Sequence, residues 1–328
     1  MKEKITLSHG DGTKNTYDLI REVFLPRLSN PILNELSDAA KIGNWIFSCD
    51  SFTVNPIYFP SSDIGKLAVY GTVNDICVSG GLPLYLSLAV IVEEGFLKKD
   101  LEKLSDSIKE AANISEVKIV SGDFKVIEKK KIDKIFIITS GIGKKIAKSS
   151  PSIKKVQDQD RIIITGTIAE HGIAVMLSRN RVFDFNVKSD CQCLKDILIP
   201  LWKKFPSIRF MRDPTRGGIA STLNEVYLAR GLGIKIFEDK IPMRLDVKAA
   251  CELLGIDPYY LACEGRALIV VEKSKAKAVL KSLKERGQAN ARIVGEVSKK
   301  VKGVLIHTVA GGKRILDFSY SFSLPRIC

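Results

Sequence analysis

Short apolar runs alternate with stretches of helical spacing along this chain, the pattern of a mixed α/β (or α+β) protein. Trp45 to Cys49 predicts a strand ending at Asp50-Ser51. Gly65 to Ser79 predicts a helix, because Leu67, Tyr70, Val73 and Cys77 recur on one helical face, and Gly80-Gly81 stops it. Leu84 to Val92 predicts a strand and Leu97 to Ala112 an amphipathic helix. Val117 to Val120 predicts a strand running into Ser121-Gly122-Asp123, and Ile135 to Thr139 another. Further on, Arg161–Thr165, Ala267–Val271, Arg292–Val297 and Val304–His307 predict strands. His171–Ser178, Leu194–Phe205, a segment opened by Gly217-Gly218 and reaching Ala229, and Lys275–Arg286 predict helices. Ala310-Gly311-Gly312-Lys313 reads as a hairpin turn.

The stretch from Lys144 to Gln159 is polar, rich in lysine and serine, and contains Pro151, so a domain boundary is placed there. This divides the chain into an N-terminal domain over 1–150, a C-terminal domain over 151–318 and a mobile tail over 319–328. The tail has no hydrophobic period and contains Pro325. Fully extended it would reach ~33 Å, enough to carry its end between two sites.

Composition narrows the class. With 328 residues, 45% hydrophobic and 27% charged, the chain fits an ordinary two-domain globular protein. No apolar run is long enough to span a membrane, and the first residues lack the apolar core of a secretory signal. A cytoplasmic protein is expected. The net charge of +14 raises the question of nucleic acid. The lysines are scattered along helices and turns without interleaved aromatics, so no nucleic-acid surface is expected; the charge could gather an anionic ligand instead. Seven cysteines with no CxxC pair, and three histidines in all, give little support to a zinc site.

The candidate chemistry lies in four aspartates and the chain end. Asp50, Asp75, Asp123 and Asp213 sit at predicted element ends or beside glycines, a placement suited to magnesium and nucleotide phosphates. A turn or N-cap role is the ordinary alternative for each. Gly217-Gly218 at a helix start could offer N–H groups to phosphate, with Arg216 adding a charged fork. His9-Gly10-Asp11-Gly12 could fold over a nucleotide. No Walker A sequence is present. Pro325-Arg326-Ile327-Cys328 ends the chain on a thiol. The neighbouring carboxylate should raise the pKa of that thiol and Arg326 should oppose the rise. On a movable end, such a nucleophile could accept a group in one place and deliver it in another.

Taken together, His9-Gly10, Asp50-Ser51, Gly71-Thr72-Val73-Asn74-Asp75, Gly122-Asp123-Phe124-Lys125-Val126, Asp213 to Gly218, Glu264-Gly265 and the terminal Pro-Arg-Ile-Cys resemble the HypE family. These are the carbamoyl dehydratases of [NiFe]-hydrogenase maturation. The likeness runs over nearly the whole chain. Its Asn-Asp and Asp-Pro-Thr-Arg-Gly-Gly pieces are shared with the wider aminoimidazole ribotide synthetase (PurM)-like ATP-binding superfamily, whereas the terminal cysteine is particular to this family.

The resemblance implies a two-domain PurM-like fold that dimerises through its N-terminal halves. It implies ATP and Mg2+ held by Asp50, Asp75, Asp123 and Asp213, with His9, Gly10, Arg216, Gly217 and Gly218 at the nucleotide. Cys328 is implied to be loaded by a carbamoyltransferase, HypF, and to be dehydrated to a thiocyanate with Lys125 and Glu264 as proton-transfer groups. HypC–HypD is the implied acceptor of the nitrile. A kinase or synthetase of the same superfamily, acting on a free small molecule, is the alternative. Thr13 and Cys263 depart from the family pattern, standing where a glycine turn and an asparagine are usual.

Overall fold

The computed structural model describes residues 4–179, 186–318 and 326–328. Of the predicted tail, 319–325 lie outside the described residues. The N-terminal half runs α1 (Lys14–Leu19), α2 (Leu25–Leu28), β1 (Ala40–Ile42), β2 (Trp45–Phe52), β3 (Tyr58–Phe59), β4 (Ser62–Asp63), α3 (Ile64–Val78), β5 (Gly81–Glu93), α4 (Lys98–Ile114), β6 (Lys118–Ile127) and β7 (Ile135–Lys145). The C-terminal half runs β8 (Arg161–Ile164), α5 (Glu170–Arg179), α6 (Lys195–Lys204), β9 (Ile208–Arg212), α7 (Gly218–Arg230), β10 (Gly233–Phe237), α8 (Leu245–Leu254), β11 (Leu268–Val271), α9 (Ala276–Glu285), β12 (Arg292–Ser298), β13 (Val304–His307) and β14 (Lys313–Ile315).

Each half is built on a mixed sheet. The first has the order β1-β2-β7-β5-β6, parallel between β5 and β6 and antiparallel elsewhere. The second has the order β14-β13-β10-β12-β8-β11-β9, parallel between β10 and β13. Its strands alternate between two apolar layers. Ile162 and Ile164 face α5, α7 and α8, while Ile163 and Ile269 face α6 and α9.

Helix α3 joins the halves. Asp63 caps it, accepting from the backbone N–H groups of Gly65 and Lys66. It is apolar on nearly all sides and correspondingly buried, lying between the first sheet and α6. Trp202 of α6 is fully buried against it and donates from Nε1 to the carbonyl of Cys77 at 2.7 Å. The other face of the first sheet is open. Trp45, Phe47, Tyr85 and Ile142 are exposed there, with Phe47, Ile142 and Tyr85 side by side in register.

Strand β6 departs from the expected pattern. Gly122-Asp123 was expected to end a strand, yet β6 continues through them to Ile127. Gly122 is required by close approach, not by a turn: a Cβ there would stand 2.5 Å from the carbonyl oxygen of Leu88. The expected hairpin at 310–313 joins β13 and β14. Strands β9 and β10 and helix α8 went unread, because short runs such as Ile208 to Arg212 mix charge with apolar residues.

Truncating Trp202 to alanine should cost about 3–5 kcal/mol and loosen the two halves together. Chemical denaturation of the full chain, followed by near-UV circular dichroism, checks this; a loss below 1 kcal/mol would contradict the bridging role.

Candidate active site

The site forms where the end of β2, the last turn of α3, the segment before β1 and the turn after β9 converge. Asp75 of α3 accepts from Ser48 Oγ at 2.6 Å. Asp38, which precedes β1, and Asp213, which follows β9, point to the same place. One oxygen from each of the three lies within 4.8 Å of the others. Burial raises the pKa of Asp75 well above the usual carboxylate value, and Asp50, Asp213 and Asp38 raise it further. Asp213 is raised for the same reasons, burial first and then Asp38. Arg212 offsets part of this, lying 2.8 Å from Asp38 Oδ1 and pairing with Glu225. Three hard oxygen donors with uncompensated charge fit a divalent cation such as magnesium.

Asp38 carried no signal in the sequence. It stands in an aperiodic loop, and only the folded chain brings it to Asp75. Asp50 lies beside the cluster, close enough to raise Asp75 and Asp213. Asp123 is not brought there. Cross-strand partners share a sheet face. Asp123 and Lys125 pair with Ala89 and Ile91, whereas Leu88 and Val90, on the α3 side, pair with Gly122 and Phe124. Asp123 and Lys125 therefore lie on the open face, paired to one another at 2.7 Å and exposed. In a single chain they are separated from the other three aspartates, so Asp123 does not join the cation cluster there.

A turn and a loop close over the site. Gly217 has φ +77°, and a Cβ there would meet Ser221 Oγ at 2.0 Å and the carbonyl of Gly12 at 2.7 Å. The His9–Gly12 loop thus lies directly on the Arg216–Gly218 turn. Arg216 donates to the carbonyl of Gly10 at 3.2 Å and Ser221 to that of Gly12 at 2.9 Å. His9 instead turns back to Thr6, its Nδ1 3.1 Å from the backbone N–H. On one side of Arg216 lies a cavity of about 630 Å³ reaching Thr13, Tyr17, Asp38, Arg212 and Phe318. On the other lies a pocket of about 100 Å³ lined by Gly10, Asp11, Ser51, Gly217 and Cys328.

The chain end occupies that pocket. Thr53 N–H donates to the terminal carboxylate of Cys328 at 3.2 Å and Asn55 N–H to the carbonyl of Arg326 at 3.1 Å. Burial pushes the Cys328 thiol well above the ordinary cysteine value, and Glu264, which hydrogen-bonds it, pushes it further. The opposing cation is Arg216. The expectation that Arg326 would oppose the rise is corrected: its guanidinium is turned away to Asp133 and the carbonyl of Thr53. Glu264 is buried, with Oε1 unpartnered. Burial, then Asp213 and Asp190, raise its pKa well above the usual value. Its backbone N–H donates to Asp190 at 3.1 Å. Cys263 takes no part: its Sγ accepts from Ala169 N–H within the C-terminal core. Thr13 is buried and donates to the carbonyl of Ser8.

Comparison with known proteins agrees with this geometry. Residues 36–144 match the N-terminal domain of AIR synthase related proteins and residues 157–308 their C-terminal domain. A carbamoyl dehydratase HypE of Bradyrhizobium diazoefficiens is 39% identical, over 99% of this chain and 96% of that protein. The HypE of a crystallised HypE–HypF complex is 45% identical, with a TM-score of 0.88 over 92% of this chain and 99% of the other. A HypE crystallised with ATP is 37% identical, with a TM-score of 0.84 over 99% and 100%. Two such domains with carboxylates gathered in the cleft between them define the AIR synthase related, PurM-like class. Within that class the chain belongs to the HypE family, the carbamoyl dehydratases of hydrogenase maturation.

Replacing Asp75 by asparagine keeps an acceptor for Ser48 and removes one of the three clustered charges. With divalent cations chelated, the thermal midpoint should rise by about 2 °C or more. Calorimetry checks this; a fall would show that the carboxylates do not repel.

Proposed function

We propose that the chain uses ATP to dehydrate a carbamoyl group carried on Cys328 Sγ, leaving a protein thiocyanate. The observation that carries this reading is the docked chain end, whose sulfur lies against Glu264 and Arg216 in the same cleft as the clustered aspartates. A carboxamide oxygen is a poor leaving group. Transfer of the γ-phosphoryl of ATP to that oxygen releases ADP and makes it a good one. Loss of both N–H protons then expels phosphate and leaves S–C≡N, so that one water is removed overall.

The residues divide this work. Asp38, Asp75 and Asp213 would hold magnesium with the nucleotide phosphates; the ion neutralises charge on the transferred group. The larger cavity would take the rest of the nucleotide. Gly217 and Gly218 leave room for close backbone approach, and Arg216 stands between nucleotide and tail with a fork suited to phosphoryl oxygens. Glu264 receives the amide proton. Its raised pKa makes it a stronger base than an exposed carboxylate once ionised. The attachment of the substrate to the chain supplies proximity, and the seated tail narrows the solvent's access to the sulfur.

The carbamoyl group would come from the carbamoyltransferase HypF, and the nitrile would pass to HypC–HypD. The open face of the first sheet supports a homodimer of N-terminal halves, because an exposed apolar row is a surface for a second copy. Asp123 and Lys125 lie on that face, so a proton-transfer role for Lys125 would be exercised in the dimer.

Intact-protein mass spectrometry tests the reading. After loading by the carbamoyltransferase, Cys328 should carry a carbamoyl adduct that loses the mass of one water only when Mg-ATP is added. Cys328→Ser should take no adduct, and Glu264→Gln should keep the adduct at least tenfold longer. An adduct that persists on the unaltered chain with ATP bound would refute dehydration. Separately, Ile142→Lys should shift sedimentation from dimer to monomer without unfolding; an unchanged dimer would place the interface elsewhere.

A further inference from the structure

The seated tail is held by its backbone from both halves of the chain. Thr53 N–H and Asn55 N–H donate to main-chain oxygens of Cys328 and Arg326, with Arg326 in the left-handed region at φ +57°. The intervening carbonyl, of Ile327, turns to the C-terminal half. There it meets α5: His171 Nε2 lies 2.8 Å from Ile327 O, and Arg179 Nη2 lies 2.6 Å from Arg326 O. His171 has no surface exposure, and Ile327 is nearly as buried.

The carbonyl of Ile327 can only accept, so the His171 ring proton is on Nε2 and is donated to it. In the neutral ring Nδ1 then accepts from Ser189 O–H at 2.9 Å, while Ser189 Oγ accepts from the backbone N–H of Cys191 at 3.0 Å. Burial holds the imidazole neutral, its pKa lowered to about 4, and its place in the first turn of α5 favours the neutral form. The ring edge packs on Phe59, centroids 5.2 Å apart, so His171 also touches the N-terminal half.

We propose that His171 is a positioning residue for the reaction: its Nε2–H fixes the penultimate carbonyl and thereby sets Cys328 Sγ against Glu264 and Arg216. The catalytic part of this inference rests on the reading that Cys328 carries the reacting group; the seating part does not. No described contact joins the imidazole to the clustered carboxylates or to Cys328 Sγ. Its influence on chemistry passes through the tail.

The test uses the full chain with His171→Phe, which keeps a flat ring against Phe59 but no donor, and His171→Gln, which restores an N–H donor. Two rates are read: alkylation of Cys328 by iodoacetamide, located by peptide mass spectrometry, and ATP-driven water loss from the carbamoylated chain. His171→Phe should alkylate about tenfold faster and lose water about tenfold more slowly, as expected for one hydrogen bond left unmade, with ATP affinity unchanged. His171→Gln should lie near the unaltered chain in both. Alkylation of folded His171→Phe within twofold of the unaltered chain overturns the proposal. Should His171→Phe fail to fold, Ser189→Ala removes the hydroxyl that holds Nδ1 and orients the ring. It should raise the alkylation rate about threefold, and no change overturns the proposal equally. Faster alkylation in a protein that never loses water supports the seat and rejects the dehydratase reading. Unchanged alkylation in one that does lose water rejects the seat alone.

Discussion

The side chain of Asn74 is the joint on which the site depends. Its Oδ1 accepts from the N–H of Leu194 at 2.8 Å, and its Nδ2 donates to the carbonyls of Gln192 at 3.0 Å and Glu264 at 3.3 Å. A buried amide that satisfies three backbone groups fixes them tightly, because none has water as an alternative. Asn74 is next to Asp75 on the same turn of α3. One helical turn therefore presents a carboxylate to the aspartate cluster and holds in place the segment that carries the glutamate beside the thiol. The spacing between the aspartate cluster and Glu264 is set within two consecutive residues.

A second constraint follows from the first. The cleft gathers Asp38, Asp50, Asp75, Asp213, Asp190 and Glu264, and most of this charge has no basic partner inside the site. Arg212 serves Asp38, while Arg266 serves Asp190 and Glu170. Arg216 is a cation that acts on both Glu264 and Cys328. The packing of α3 and Trp202 between the two halves keeps these groups in place. Polar groups that destabilise the free chain are those a cation and a nucleotide would satisfy.

Much of this was legible before any coordinates. Leu67, Tyr70, Val73 and Cys77 announced α3 because a buried helix repeats its apolar face. Gly217-Gly218 marked the start of α7, though their close approach to Gly12 and Leu261 showed only in the structure. The structure brings Asp75, Asp213, Arg216, Glu264 and Cys328 near one cleft, and leaves Asp123, expected with them, on the open face. Other features left no trace in the sequence. Asp38 lies in a loop without period, and its role comes from packing across three segments. Gly122 looked like a turn, because a glycine needed for strand contact and one needed for a bend read alike. Arg326 looked like the partner of the thiol because it is close in sequence, whereas its left-handed backbone, φ +57°, turns the chain there and its guanidinium goes to Asp133 and Thr53. His171 looked like an ordinary helix residue until the tail was laid against it.

The raised pKa of the seated thiol has a consequence for traffic. Linkage requires that whatever makes ionisation harder in the pocket makes the ionised tail harder to seat, by the same free energy. Thiol, thiocarbamate and thiocyanate are all uncharged at sulfur; the thiolate alone is not. If the tail carries the group as proposed, the cleft would act as a charge filter: it disfavours the thiolate, the form able to attack a carbamoyl donor, and admits the sulfur once it is protonated or capped.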